Sequence, residues 1–279
     1  MKSCIILVNK EKGISSNSVV NKVKHAVGAE KAGHLGTLDV LATGLLPVTI
    51  NKATKLFDYF LKKDKVYKTI FTFGKTTDTL DMEGKITKSN DKIITKEMIE
   101  KVLPDFIAKQ QQMPPIYSAK KINGKKAYQL ARKGEEASLK PKEIEIYEIK
   151  LIRQVEYNSF EFVIHCSSGT YIRAICRDIA EKMSTYGVMS NLQRTRCGDF
   201  DINNSSTIYE IKNGNYIPIP IENLFDYEKI ELSKSDLSKL ENGVMISYYK
   251  DGEFKLYNDS EYLGNVKVEK NKMKFTLRV

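Results

Sequence analysis

The chain has 279 residues, 41% hydrophobic and 29% charged, a balance that excludes disordered and fibrous classes and allows a sizeable core. At this length two unequal domains are expected. The net charge is +10, and because residues from Phe225 onward hold ten basic and ten acidic side chains, the whole excess lies before them. Such a basic surface suits a polyanion, nucleic acid or anionic membrane, through phosphate contact and counterion release. The competing reading is a lysine-rich surface kept for solubility.

In chain order, MKSCIILVNK contains a five-residue apolar run, too short for a signal-peptide core or a membrane span of ~20 residues, so a cytoplasmic protein is expected. Residues 4–9, CIILVN, read as a buried strand. SSNSVVNKVKHAVG then predicts a helix capped by Ser15 or Ser16, with Val20, Val23 and Val27 at helical spacing and Gly28 as its stop. GHLGTLDVLATGLLPV, residues 33–48, holds three glycines, a proline, one carboxylate (Asp39) and one imidazole (His34), and reads as a shaped loop. VYKTIFTF (66–73) places Tyr67, Thr69, Phe71 and Phe73 on one face of a strand, with 144–152 and 160–167 as partner strands in a mixed sheet.

Between Pro104 and Pro141 the texture changes: SAKKINGKKAYQLARK (118–133) has six basic residues and no acid, a candidate arm for a nucleic-acid backbone or a helix hairpin with a solvated lysine face. TYIRAICRDIAEKM predicts a helix with Ile172, Ile175, Ile179 and Met183 along one stripe, Thr170 as N-cap, and Arg173 and Arg177 on another face. From about residue 226 the strands MISYYK, EFKLYN, LGNVKVE and KMKFTLRV predict a small β module. Cys4, Cys166, Cys176 and Cys197 lie far apart without a CxxC pair, and read as reduced thiols.

Several common engines are missing. There is no GxxxxGK[ST] loop, GxGxxG fingerprint, HExxH or GxSxG, so no nucleotide, dinucleotide or metal cofactor is expected. What remains is a carboxylate in a glycine-rich loop, an arginine at a helix start, a tyrosine on a strand and a basic arm. An aspartate in such a loop ordinarily caps a turn. To act as a nucleophile it must stay ionised in a shielded pocket, which a hydrogen-bonded arginine can ensure.

GHLGTLDVLATGLLPV resembles the GHxGTLDPxATGxLP motif of the TruB family of pseudouridine synthases, which modify uridine 55 in the T loop of bacterial tRNA. The likeness continues in family order through KEKGISSN (10–17), NKATKL (51–56), KVYKTIFTFGKTTDTLDMEG (65–84), MPPIYSAKKINGKKAYQLARKG (113–134), CSSGTYIRAICRDI (166–179) and LQRTRCGDF (192–200), over about the first 220 residues. It implies that Asp39 is the nucleophile, that Arg173 pairs with and ionises it, and that Tyr67 stacks on the target uracil and assists removal of the C5 proton. His34 would sit near the flipped nucleotide, Tyr171 and Leu192 would line the base pocket, and His165 stays structural. Lys10, Lys120, Lys121, Lys125, Lys126 and Arg132 would contact RNA.

The implied fold is that of the pseudouridine synthases, a mixed α/β architecture with a long, mostly antiparallel sheet over 1–225, carrying a basic RNA-binding insertion at about 104–142. Residues 226–279 would form a reduced PUA-like β domain. The implied protein is a cytoplasmic monomer acting on the tRNA T stem-loop, without metal, nucleotide cofactor or membrane. Asp39 could attack C6 of the ring or help expel uracil from C1′; the residues admit both. The chain departs from the family at Glu11 and Val40, where proline is usual, and at Leu35, where threonine is usual. Losing proline after the nucleophile would loosen its loop. The rival readings are a noncatalytic tRNA-binding or tRNA-folding protein on the same scaffold, which would not require Asp39, Tyr67 and Arg173 together, and an acidic-nucleophile phosphohydrolase, whose DxD pattern Asp39-Val40-Leu41 does not supply.

Overall fold

The computed structural model describes residues 2–117, 121–122, 125–126 and 139–279. Alternation in Lys65–Phe73 sets the centre of the sheet: Tyr67, Thr69, Phe71 and Phe73 are buried on one face while Lys68 is exposed on the other. This strand pairs antiparallel with Ser159–Cys166 on one side and Gly187–Cys197 on the other. Beyond Ser159–Cys166 come Lys142–Glu156 and then the edge strand Lys109–Gln112. In the other direction come Thr43–Ile50, Cys4–Lys10 and Ile219–Pro220, while Ala32–His34 pairs on Thr43–Ile50 and Phe200–Asp201 on Gly187–Cys197.

Every pairing in this sheet is antiparallel except the junction of Gly187–Cys197 with Thr43–Ile50, which has two Cα partner pairs, Gln193 with Thr43 and Arg194 with Gly44. Glycine is required there. Gly44 has φ +97°, and a Cβ on it would lie 2.4 Å from the Arg194 carbonyl oxygen.

The helices Ser16–Ala26 and Ile172–Lys182 contribute Val19, Val20, Val23, Ile175 and Ile179 to the same core cluster as Phe71, Phe160 and Phe162. Ser15 caps the first through its side chain, which accepts from Ser18 N, and Gly28 takes φ +62° just beyond its end, as expected. A second cluster joins Ile5, Leu7 and Leu45 to Phe60, Phe200 and Phe225, with Tyr262, Leu277 and Val279 of the C-terminal unit packed against it. That unit is a four-stranded sheet in the order Glu228–Glu231, Gly252–Asn258, Glu261–Glu269, Lys272–Arg278, with its own core.

Three expectations change. The 33–48 motif is a loop only at 35–42, because its two ends, Ala32–His34 and Thr43–Ile50, pair as strands. Pro47 is tolerated within the second because its missing N–H falls on the side where the neighbouring strand Ala32–His34 has ended, while its carbonyl still accepts from Leu35 N. Thr170 does not cap the Ile172–Lys182 helix: its hydroxyl donates to Ser167 O, and Tyr171 stands at the N-cap. MISYYK is not a strand; one isolated bridge links Ser247 to Lys272, and the segment follows an unexpected helix, Lys234–Glu241, capped by the Ser233 side chain. In the basic insertion the Lys121–Ile122 backbone pairs with Lys125–Lys126. Lys120, Arg132 and the rest of the expected arm lie outside the described residues.

Candidate active site

The 35–42 loop hangs between two strands and is tied down along its length. Ser16, buried at the start of its helix, accepts from Leu38 N at 2.9 Å and donates to Leu38 O at 3.0 Å. Gly13 N donates to Val40 O at 2.9 Å, and Ala42 N to Asp39 O at 3.1 Å. Lys10, expected among the RNA-contacting cations, is 0% exposed. Its ammonium donates to the carbonyls of Glu11, Val40 and Ala42, and burial pushes its pKa down to about 8. It is a strut of the loop, not a surface charge.

Asp39 projects from this loop with its side chain 38% exposed, facing an Arg173 side chain that is 7% exposed. Arg173 reaches it from the first turn of its helix and grips both oxygens, Nε to Oδ2 at 3.0 Å and Nη2 to Oδ1 at 3.3 Å. The planar fork of a guanidinium fixes a carboxylate in direction as well as charge. Arg173 is itself held by Thr79 O at 2.8 Å, Tyr117 O at 3.0 Å and the buried Asp81, whose Oδ2 lies 3.4 Å from Nη1. Asp81 accepts in turn from Thr79 Oγ1 at 2.6 Å and Glu83 N at 3.1 Å. The acid in the glycine-rich loop is therefore not alone: a second carboxylate shares its arginine. Its signal in the sequence was the T-x-D spacing of Thr79 and Asp81, which also serves an ordinary turn.

A cavity of about 900 Å³ opens beside this pair, and its lining brings together Asp39, His34, Tyr67, Tyr171, Arg173 and Leu192. All six expected pocket residues therefore meet in one place, although they come from five separate elements. Burial pushes the Tyr67 phenol up to about 12, with nearby Arg194 opposing the shift. At neutral pH it is a neutral ring with a hydrogen to donate, suited to stacking. His34 is held below the usual imidazole range by burial and then by Arg194, so it meets a ligand as a neutral ring. The Tyr171 backbone is clasped by the Gln112 amide, which accepts from Tyr171 N at 2.8 Å and donates to Tyr171 O at 3.1 Å. His165 lies outside the lining and joins Arg196 on Asp64, as a structural group.

The departures at positions 35 and 40 have opposite surroundings. Leu35 packs into the cluster with Leu7 and Leu45, and the Val40 side chain stands exposed while its carbonyl is held by Lys10 and Gly13. Among the described residues no cluster of His, Cys, Asp and Glu could hold a metal. All four cysteines are free and buried. No described helix is long and apolar enough to cross a membrane.

Comparison with known proteins points to one family. The family model for the TruB family pseudouridylate synthase N-terminal domain matches residues 24–172, and that for the tRNA pseudouridylate synthase B C-terminal domain matches 173–217. The chain is 42% identical over 243 residues to tRNA pseudouridine synthase B of Caldanaerobacter subterraneus subsp. tengcongensis, covering 87% of this chain and 85% of that protein. It is 36% identical to the protein of the same name from Aquifex aeolicus, covering 93% of each. Its fold is similar to that of a Cbf5–Nop10–Gar1 complex, with a TM-score of 0.69 at 22% identity over 99% of this chain and 84% of that one.

Proposed function

The chain belongs to the TruB family of pseudouridylate synthases, and from that premise we propose that it isomerises uridine to pseudouridine in tRNA, at position 55 of the T loop, with Asp39 as nucleophile. The observation that carries this reading is the two-bond grip of Arg173 on Asp39 at the wall of a nucleotide-sized cavity. The reaction breaks the N1–C1′ bond, turns the base and rejoins it through C5, with no net oxidation or hydrolysis. It needs one aimed nucleophile and a pocket that retains the loose base, which matches a site without cofactor motifs.

A stacked loop base is out of reach, so the uridine must be flipped out at a cost of a few kcal/mol. Stacking on an aromatic ring is worth ~1 to 3 kcal/mol per base, enough for Tyr67 to offset much of that cost. His34, Tyr171 and Leu192 complete the walls, and the basic insertion at about 104–142 supplies phosphate and 2′-hydroxyl contacts. In this reading 1–225 is the catalytic domain, 226–279 is a PUA-like accessory, and the enzyme works as a cytoplasmic monomer on the T stem-loop.

The test is tritium release from an unmodified tRNA transcript labelled at uracil C5, with the product mapped by chemical probing. Wild type should release tritium and place pseudouridine in the T loop, and Asp39→Asn should do neither while still binding tRNA. Tight binding by the wild type without release would overturn the proposal in favour of a noncatalytic tRNA-binding role.

A further inference from the structure

Arg194 occupies a place that packing alone does not explain. Its side chain is 1% exposed. Nε donates to Leu45 O at 2.8 Å and Nη2 to Gly36 O at 3.0 Å. Those carbonyls stand on opposite sides of Asp39, at the two ends of the segment that carries it. The Arg194 backbone has Tyr67 as its Cα partner on one neighbouring strand and Gly44 on the other. Its positive charge acts on the Tyr67 phenol against the upward push of burial, and both side chains line the same cavity.

The partners of this arginine differ from those of its neighbours. Arg173 and Arg196 carry carboxylate partners. Among the described residues Arg194 has carbonyl acceptors instead. A buried guanidinium without a counter-ion is costly, and an apolar side chain of similar volume would fill the same space at less cost. The charge therefore serves something other than stability, and it lies in the wall of the same cavity as Asp39 and Tyr67.

Resting on the pseudouridylation reading, we propose that Arg194 is a positioning residue for that reaction: one guanidinium ties both ends of the Asp39 loop to the strand position paired with Tyr67. Nucleophile and stacking ring are thereby held at a fixed separation across the base. The charge suits the chemistry by either route. Attack at C6 drives negative charge toward O4 of the ring, and departure of uracil leaves it on N1 and O2. A fixed, unneutralised cation in the wall of the cavity favours both.

The experiment compares wild type with Arg194→Gln, which removes the charge, and Arg194→Lys, which keeps it with fewer donors. Single-turnover rates, tRNA affinity, thermal melting and the ζ-carbon NMR resonance of Tyr67, assigned through Tyr67→Phe, are measured in each. Arg194→Gln should lower the single-turnover rate by about 100-fold or more with tRNA affinity within about twofold of wild type, and Arg194→Lys should recover part of the rate. The Tyr67 resonance should be displaced in Arg194→Gln and move back toward wild type in Arg194→Lys. The proposal is overturned if rate and affinity fall together in both variants, or if the rate stays near wild type. An unmoved Tyr67 resonance would also overturn it, since the guanidinium would then not act on the phenol. Should Arg194→Gln fail to fold, the rate and resonance of Arg194→Lys decide by the same criteria. Loss of tritium release in the wild type itself would instead refute the pseudouridylation reading, leaving the Tyr67 resonance to judge whether Arg194 acts on the phenol.

Discussion

Lys10 shows how one residue can replace a constraint that the sequence lacks. The family usually places proline at the positions of Glu11 and Val40, and a looser loop was expected from their absence. Yet Lys10 donates to the carbonyls of both those residues and of Ala42, so the backbone is fixed by hydrogen bonds where proline would fix φ. The arrangement holds only while Lys10 is an ammonium. Burial lowers its pKa from 10.5 to about 8, so the proton is lost as pH rises through about 8, some two units before an exposed lysine would lose it. We therefore expect the single-turnover rate to fall on the alkaline side of about pH 8, and the fall to move to higher pH in Lys10→Arg. Lys10→Met should be slow at every pH, with tRNA affinity nearly intact because this cation does not reach the surface. A loss of affinity equal to the loss of rate would return Lys10 to the RNA-contacting set.

At the scale of elements, the junction between Thr43–Ile50 and Gly187–Cys197 decides the architecture of the site. It joins the strand that leaves the Asp39 loop to the strand that carries Leu192 and Arg194, and it depends on Gly44. Gly44→Ala puts a Cβ 2.4 Å from the Arg194 carbonyl at φ +97°, where neither backbone can yield without breaking its pairing. We expect a loss of at least about 2 kcal/mol in urea unfolding, with the rate falling as well because both ends of the loop shift. A change under half that size would mean that the junction is pliable.

How legible each element was follows from the range of the forces that make it. Strand Lys65–Phe73 and helix Ile172–Lys182 were readable because period-2 and period-3.6 burial is written within a few residues. The strands at the ends of the 33–48 motif were not, because their glycines and proline signal a loop and only the pairing of Thr43–Ile50 with Cys4–Lys10 and with Ala32–His34 makes them a sheet. Helix Lys234–Glu241 was signalled by Ser233 and Asp236 at capping spacing, a local cue outweighed by the β texture around it. In the site, Asp39 and Arg173 were readable through motif likeness, whereas Asp81, Gln112 and Arg194 act by contacts across 59 to 158 positions of chain that no local pattern records.

At the scale of the whole molecule, charge and stability are divided between the two units. The excess of +10 lies entirely before Phe225, while the residues from there on are balanced, ten basic against ten acidic. The C-terminal unit meets the rest through Tyr262, Leu277 and Val279 against the cluster of Phe60, Phe200 and Phe225, an apolar contact suited to bracing one core with another. Phosphate binding should therefore depend on the first unit, and within it on the acid-free run at 118–133, where no carboxylate offsets the lysines. Each phosphate neutralised by a lysine contributes roughly 0.7 to 0.9 to the slope of log affinity against log salt. Replacing Lys120, Lys121, Lys125 and Lys126 together by Ala should weaken tRNA binding and flatten that slope by about 3 if all four reach phosphates. Melting should stay within a few degrees of wild type. An equal number of substitutions among Lys255, Lys267, Lys270 and Lys274 of the balanced unit should leave the slope nearly as it was. If the second set flattened the slope as much as the first, the backbone contacts would belong to the C-terminal sheet, and the basic run at 118–133 would be a solvated face.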